Sequence, residues 1–403
     1  MTTTSTSTGR KNLRDVLLEG LGSVPGTREF HVHVLQTWPR RTTSLYRYAQ
    51  PRPKTYVQDV LVLLSEGSGG EGGSVLVAGI EAYLYHIPAT SSAILYVCKV
   101  DSTGQNKGKS ATKQVVEAFL KYYTDPKTRP VGEVKRLWIQ LFARAQGQYL
   151  FPESSEWEGK RPLGDVQLCG WWKEVLGTVG VAGASVKAYY LLPGYSQLEA
   201  EQMLLSQTSP EIAWEYGHPY HVPELPCPRD GLDLGHMIPY FEDDPKSRFL
   251  DEMAHSTGRE LRRPARKRAR TETSVKETGN VTVDDFWERM SFRQECVAGA
   301  VTGFFTVVVV VAGQGATVDQ VTEGHVSLAM HRRVRTALTT GVSFATTARA
   351  MQATEMIERL CREEVGCLSG TVAVQNGDKS VRGSAGVRGS DGVTVLAARR
   401  KKK

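Results

Sequence analysis

Apolar positions in this chain fall into short β-type runs and longer stretches of helical spacing. FHVHVLQTW (30–38), DVLVLLSE (59–66), VLVAGIEAYLYHI (75–87) and AILYVCKVD (93–101) are rich in branched and aromatic residues, which predicts four strands. GSGGEGG (67–73) reads as a flexible loop between the second and third. LRDVLLEGLG (13–22) predicts a short amphipathic helix closed by glycine. In SATKQVVEAFLKYYTD (110–125), Val115, Val116, Phe119 and Leu120 take helical spacing. DVQLCGWWKEVLGTV (165–179), LEAEQMLL (198–205), VTVDDFWERMSFRQECVAG (281–299) and SFATTARAMQATEMIERLCREE (343–364) predict further helices. ASVKAYYLLPG (184–194) predicts a strand stopped by Pro-Gly. VKRLWIQLFARA (134–145) fits either type, with its RLWIQLFA core favouring a strand. VTGFFTVVVVVAG (301–313) is shorter than the roughly 20 residues of a membrane span, and its branched side chains predict a buried strand.

This order of elements predicts an α/β fold, a single mixed sheet surrounded by helices with a long active-site loop and a basic insert. Residues 1–12 read as disordered, 13–366 as the domain, 255–280 as the disordered basic insert within it, and 367–403 as a basic flexible tail. Residues 215–240, rich in Pro, Gly and His, form a long irregular segment. The net charge of +7 is concentrated in RELRRPARKRAR (259–270) and the closing ARRKKK, so it says little about the core. Such clusters suit nuclear import or contact with nucleic acid and acidic proteins. MTTTSTSTGRKN has no apolar stretch of the kind that a secretory signal needs. The six cysteines show no CxxC pair or disulfide spacing, which fits reduced thiols. GHPYH offers His218 and His221 but no third ligand at a usual spacing, so no metal is expected.

VDSTGQNKGKSATKQVV (100–116) lies between a predicted strand and a predicted helix, as a phosphate-binding loop does. It is not a Walker A motif, because three residues rather than four separate Gly104 from Gly108. The physics still favours an anion. Lys107 and Lys109 open a helix whose free N–H groups and dipole attract phosphate, and a cofactor's pyrophosphate would serve as well as a nucleotide's.

Five stretches, in order, resemble the fungal histone H3 acetyltransferases that act on newly made histone, distant structural relatives of the CBP-type coactivator enzymes. They are LYVCKVDSTG (95–104), LFARAQGQYLFPESSE (141–156), GWWKEVL (170–176), EDDPKSRFLDE (242–252) and FWERMSFRQECVAGAVTGF (286–304), spanning roughly residues 90–310. The resemblance implies transfer of acetyl from acetyl-CoA to lysines of H3, with no metal, no membrane and a nuclear place in replication-coupled nucleosome assembly and the DNA-damage response. Implied partners are H3–H4 and histone chaperones, with nucleic acid within reach of the basic segments. Implied acetyl-CoA contacts are Val100, Asp101 and Ser102; Lys109, Ser110, Ala111, Thr112 and Lys113 around the pyrophosphate; Phe142 and Gln146; Arg161, Pro162 and Leu163; and Trp171. Trp172 corresponds to an active-site wall, Asp244 beside Asp243 to the acid/base position, and Lys246 to a lysine that the enzymes acetylate on themselves.

Lysine acetylation requires a neutral amine, and free lysine with a pKa near 10.4 is overwhelmingly protonated at pH 7. Asp244 is the candidate base if burial or Asp243 raises its pKa. Otherwise the carboxylates orient the cationic lysine and the proton leaves through Tyr149 or water. The alternative from another class is a catalytically inactive histone-binding scaffold of the same fold. Paired aspartates before proline are also common in turns and helix starts, and paired tryptophans in cores.

Overall fold

A computed structural model of the chain describes residues 11–67, 73–130, 134–180, 184–204, 212–221, 225–228, 233–256, 281–293, 300–311, 324–363 and 366–376. Nearly all of the basic insert, and the tail beyond residue 376, lie outside them.

Among the described residues, eleven strands make one mixed sheet. They are β1 (Gly26–Thr37), β2 (Arg40–Thr42), β3 (Thr55–Gly67), β4 (Ser74–Ile87), β5 (Ser92–Ser102) and β6 (Arg136–Ala143), then β7 (Ala184–Leu191), β8 (Trp214–Tyr216), β9 (Gly303–Val311), β10 (His325–Val326) and β11 (Leu368–Asn376). The spatial order is β10-β1-β3-β4-β5-β6-β9-β7-β8, with β11 also on β1 and β2 on β3. β1, β3, β4 and β5 are successively antiparallel, whereas β5 and β6 run parallel. The strand alternative for residues 134–145 is therefore the one adopted. Leu137 to Leu141 are all buried, as β6 lies between two neighbours with both faces covered.

Nine helices are described: α1 (Leu13–Leu21), α2 (Thr112–Thr124), α3 (Asp165–Gly177), α4 (Gln197–Met203), α5 (Leu234–Met237), α6 (Pro245–Ser256), α7 (Val283–Met290), α8 (Leu328–Thr339) and α9 (Thr347–Glu363). One core gathers Leu17 of α1, Phe119 of α2 and Val175 of α3 against Val62, Leu95 and Val307 of the sheet. A second packs Phe241, Leu250 and Phe286 against Tyr96, Trp138 and Phe304. A third lays Val334 of α8 and Ile357 of α9 against Leu61 and Leu63. Because both faces are covered, Val60 to Leu64 of β3 form a continuous apolar run without alternation.

Four boundaries differ from the sequence expectation. Lys11 and Asn12 are ordered, and Asn12 caps α1 by accepting the Asp15 N–H at 3.0 Å. Residues 368–376 are not tail but a strand antiparallel to β1; Leu368, Val372 and Val374 alternate toward the first core. Helix α7 stops at Met290, with residues 294–299 of the predicted helix outside the described set. Most of FEDDPKSRFLDE is helix rather than loop, since α6 begins at Pro245, a residue suited to a helix's first position.

Candidate active site

Strands β5 and β6 pair from Ser92↔Arg136 to Tyr96↔Gln140 and no further. Beyond that point β5 continues on β4 alone, with a bulge at Cys98, so its backbone edge toward β6 is unpaired. The two parallel strands splay, and a cavity of about 450 Å³ opens past their carboxyl ends. Parallel strands joined by a helix commonly bind ligands at this place. Val100, Asp101 and Ser102 line it from β5, Ala145, Gln146 and Tyr149 from the segment after β6.

Asp101 organises the walls. One carboxylate oxygen accepts the N–H groups of Tyr149, Leu150 and Phe151 at 2.7, 2.8 and 3.3 Å; the other meets Lys160 Nζ at 2.9 Å and the Ser102 N–H at 2.8 Å. Both partners of this ion pair are buried, at 5 % side-chain exposure each. The geometry makes Asp101 a positioning residue that folds residues 149–160 against β5. Gly104 completes the join: its φ is +77°, and a Cβ there would stand 2.5 Å from Lys160 Cα. Lys160 was not anticipated, although it directly precedes Arg161 in EGKRPLG.

The phosphate-type loop is held in place from below. A buried Arg28–Glu66 pair, 2.7 Å apart, receives the Lys107 N–H on Glu66 and donates from Arg28 to the Lys109 carbonyl. Ala111, at the N-cap of α2, has no side chain to cap the first turn. Lys109, Ser110, Thr112 and Lys113 line the cavity at this helix start, and Arg161 approaches from the other wall. Lys113 pairs with Glu174 at 2.7 Å, whereas Lys109 and Arg161 have no ion partner among the described residues. Ser110 Oγ accepts the Thr112 N–H at 3.3 Å; the remaining first-turn amides, the helix dipole and the two cations are features that favour an anion.

The apolar wall comes from α3. Trp171 and Trp172 meet edge to face at 4.8 Å, and Leu168 lies one turn earlier on the same side; with exposed Pro162 and Leu163 they line the cavity. Asp165 fixes the start of α3 by accepting the Ala145 N–H at 2.7 Å and the Val301 N–H at 3.2 Å. Tyr149 donates its hydroxyl to the Arg144 carbonyl, and burial with the nearby Asp101 pushes the phenol up to about 12. It is therefore protonated at neutral pH. Leu168 and Ala145 were not foreseen, though Leu168 lies three and four residues before the tryptophan pair, on one helical face.

The DDPK stretch lies apart from this wall. Asp244 is fully buried and caps α6, accepting the Lys246 N–H at 2.8 Å. Its other oxygen stands 3.0 Å from Lys246 Nζ, an ion pair without hydrogen-bond alignment. Burial pushes the Asp244 carboxyl above its ordinary range against the pull of Lys246. Burial opposes the Lys246 charge, but Asp244 and Tyr220 hold its pKa above the ordinary value. The ammonium also lies 5.1 Å from the Phe304 ring centroid and 5.8 Å from that of Phe241. Asp243, half-buried, accepts from Tyr96 Oη and Cys98 Sγ, each at 3.0 Å. None of Asp243, Asp244 or Lys246 lines the cavity.

Two further expected contacts lie elsewhere. Ala111 is buried behind the loop, and Phe142 points to the second core, 6.4 Å from the Phe304 ring. β6 alternates its faces, so Phe142 is opposite Leu141 of the first core. The third partner that GHPYH lacked by spacing comes from α7: Asp284 Oδ1 is 3.0 Å from His218 Nε2 and 3.2 Å from His221 Nε2.

A profile of the histone acetyltransferase KAT11-type domain matches residues 124–359, more than half of the chain. The chain is 32% identical to "Histone acetyltransferase rtt109" of Aspergillus flavus over 270 residues, covering 59% of this chain and 46% of that protein. It is 28% identical to the protein of that name from Schizosaccharomyces pombe over 254 residues, covering 59% and 58%. The chain thus spans about half the length of these relatives. The fold matches the crystal structure of Rtt109 from Aspergillus fumigatus with a TM-score of 0.70 at 24% identity, over 90% of this chain and 99% of that one. The chain belongs to the histone acetyltransferase KAT11-type family.

Proposed function

We propose that this protein is a nuclear lysine acetyltransferase that moves acetyl from acetyl-CoA to newly made histone H3, presented as H3–H4 by a histone chaperone. The observation that carries this reading is one cavity combining an uncapped helix start, unpaired Lys109 and Arg161, an open strand edge and a tryptophan wall. Pyrophosphate suits the helix start and its cations. The open edge of β5 offers amides and carbonyls to an extended amide chain such as pantetheine. The relatives' names and the family match supply the histone substrate class.

In this reaction the lysine nitrogen attacks the thioester carbonyl, the C–S bond breaks, and the departing thiolate takes a proton. The amine must first lose its own proton. Trp172 and Leu168 would surround the lysine stem with apolar surface, which lowers an ammonium's pKa. Tyr149, protonated and tied to Arg144, leaves water as the route for that proton. We assign Asp244 and Asp243 to holding Lys246, α6 and β5 in place rather than to touching the substrate. Lys246 is the proposed self-acetylated lysine, because neutralising it would remove a buried charge.

Calorimetric titration with acetyl-CoA, and with ATP as control, tests the cavity. Saturable acetyl-CoA binding that weakens in Arg161→Ala is expected. Equal affinity for ATP, or binding indifferent to Arg161, would refute the assignment.

A further inference from the structure

Away from the cavity, the fold gathers soft ligands from three separate elements. His33 lies on β1, Cys361 in the last turn of α9, and Cys367 just before β11. A ring nitrogen and the two sulfurs lie within 4.8 Å of one another. His33 and Cys361 are buried, at 4% and 1% exposure. His33 Nδ1 lies 2.7 Å from Ser369 Oγ, while Nε2 is buried with no hydrogen-bond partner. Glu358, three residues before Cys361 on the same helix face, places Oε1 3.7 Å from that nitrogen while accepting from Ser65 Oγ, and its other oxygen pairs with Arg362 at 3.4 Å.

We infer that His33, Cys361, Cys367 and Glu358 form a structural zinc site that clamps β11 and the end of α9 onto β1. Two thiolates, an imidazole and a carboxylate are the donor types that zinc takes tetrahedrally. With metal–ligand bonds of about 2.0–2.3 Å, tetrahedral donors stand roughly 3.3–3.8 Å apart, so His33, Cys361 and Cys367, already within 4.8 Å of one another, need draw in by little more than an ångström, and Glu358 comes in from beside His33 as the fourth donor. Ser369 accepts from His33 Nδ1–H, leaving the Nε2 lone pair for the metal; metal-bound histidines usually hold such a partner. On binding, Zn²⁺ replaces the protons of the two thiols, which pass to solvent. Sequence spacing hides the site, because His33 joins two cysteines more than 300 positions later.

The test uses the full chain purified under reducing conditions, loaded with Zn²⁺ and freed of loose metal by gel filtration. Elemental analysis is expected to find stoichiometric zinc, and Co²⁺ in its place should show thiolate-to-cobalt charge-transfer bands. The Cys361→Ser, Cys367→Ser double variant should retain none, whereas Asp284→Asn, at the separate His218–His221 cluster, should retain it all. Ser369→Ala keeps every donor and should weaken zinc affinity about tenfold through loss of the orienting bond. If the double variant fails to fold, the wild-type cobalt spectrum decides by itself. Metal-free protein after loading, cobalt spectra without thiolate bands, or full zinc in a folded double variant would overturn the assignment.

Discussion

Replacing Asp244 by alanine separates a positioning role from a surface one. The substitution removes the α6 cap, worth about 1 kcal/mol, and strands the Lys246 ammonium between Phe241 and Phe304. Breaking a buried pair from one side costs about 3–5 kcal/mol, so the single variant should lose about 4–6 kcal/mol in all. That is a large share of the roughly 5–15 kcal/mol that holds a domain together. Lys246→Met alone should cost less, because Asp244 keeps its bond to the backbone of residue 246 and can be neutralised by a proton, its pKa already being raised. The double variant Asp244→Ala, Lys246→Met leaves no unpaired charge and sets a thioether among aromatic rings, so only the cap is missing. Urea unfolding followed by tryptophan fluorescence and circular dichroism gives all corners of the cycle. A coupling of at least about 3–5 kcal/mol is expected, with the double variant more stable than Asp244→Ala. Additivity within about 0.5 kcal/mol would refute the buried-pair argument.

Other perturbations read the cavity itself. Gly104→Ala meets both a left-handed backbone and the Lys160 main chain, so it should cost at least about 1–3 kcal/mol in urea unfolding; a neutral effect would show that this join is loose. Asp101→Asn removes the charge that holds Lys160 and should raise amide exchange across residues 149–160, while unchanged protection would mean that the carboxylate does not organise them. Arg161→Ala should weaken acetyl-CoA binding by about 1.5–3 kcal/mol, roughly ten- to a hundredfold, and flatten its salt dependence. Peptide mass spectrometry after incubation with acetyl-CoA should find acetyl on Lys246 of the wild type and none in Trp172→Ala; an unmodified Lys246 would count against its self-acetylation.

Much of the cavity was legible because its parts are local. The strand ending at Val100–Ser102, the lysine-bearing loop, the helix start at Thr112 and the Trp171–Trp172 pair all lie where pattern and resemblance put them. What the chain concealed depends on contacts distant in sequence. The three N–H groups on Asp101 come from residues 149–151, which local pattern does not link to KVD. Phe142 packs in the second core instead of lining the cavity, and because a buried central strand carries apolar residues on both faces, composition does not tell which side points to the cavity. Asp-Asp-Pro-Lys suits a loop by composition, yet the same residues are a helix cap with Pro at the first position. β11 escaped notice because a Gly, Ser and Val stretch becomes a strand only when β1 offers it an edge.

The proposed acetyl transfer to H3 from the β5–β6 cleft has a direct test. Full-length protein is incubated with acetyl-CoA and H3–H4, with and without a histone chaperone, and acetylated lysines are mapped by mass spectrometry. Acetyl is expected on H3 lysines, more of it with the chaperone, and little with Trp172→Ala or Arg161→Ala protein that remains folded. No acetyl on any histone lysine under either condition, from protein that binds acetyl-CoA, would contradict it and leave the chain a binding scaffold.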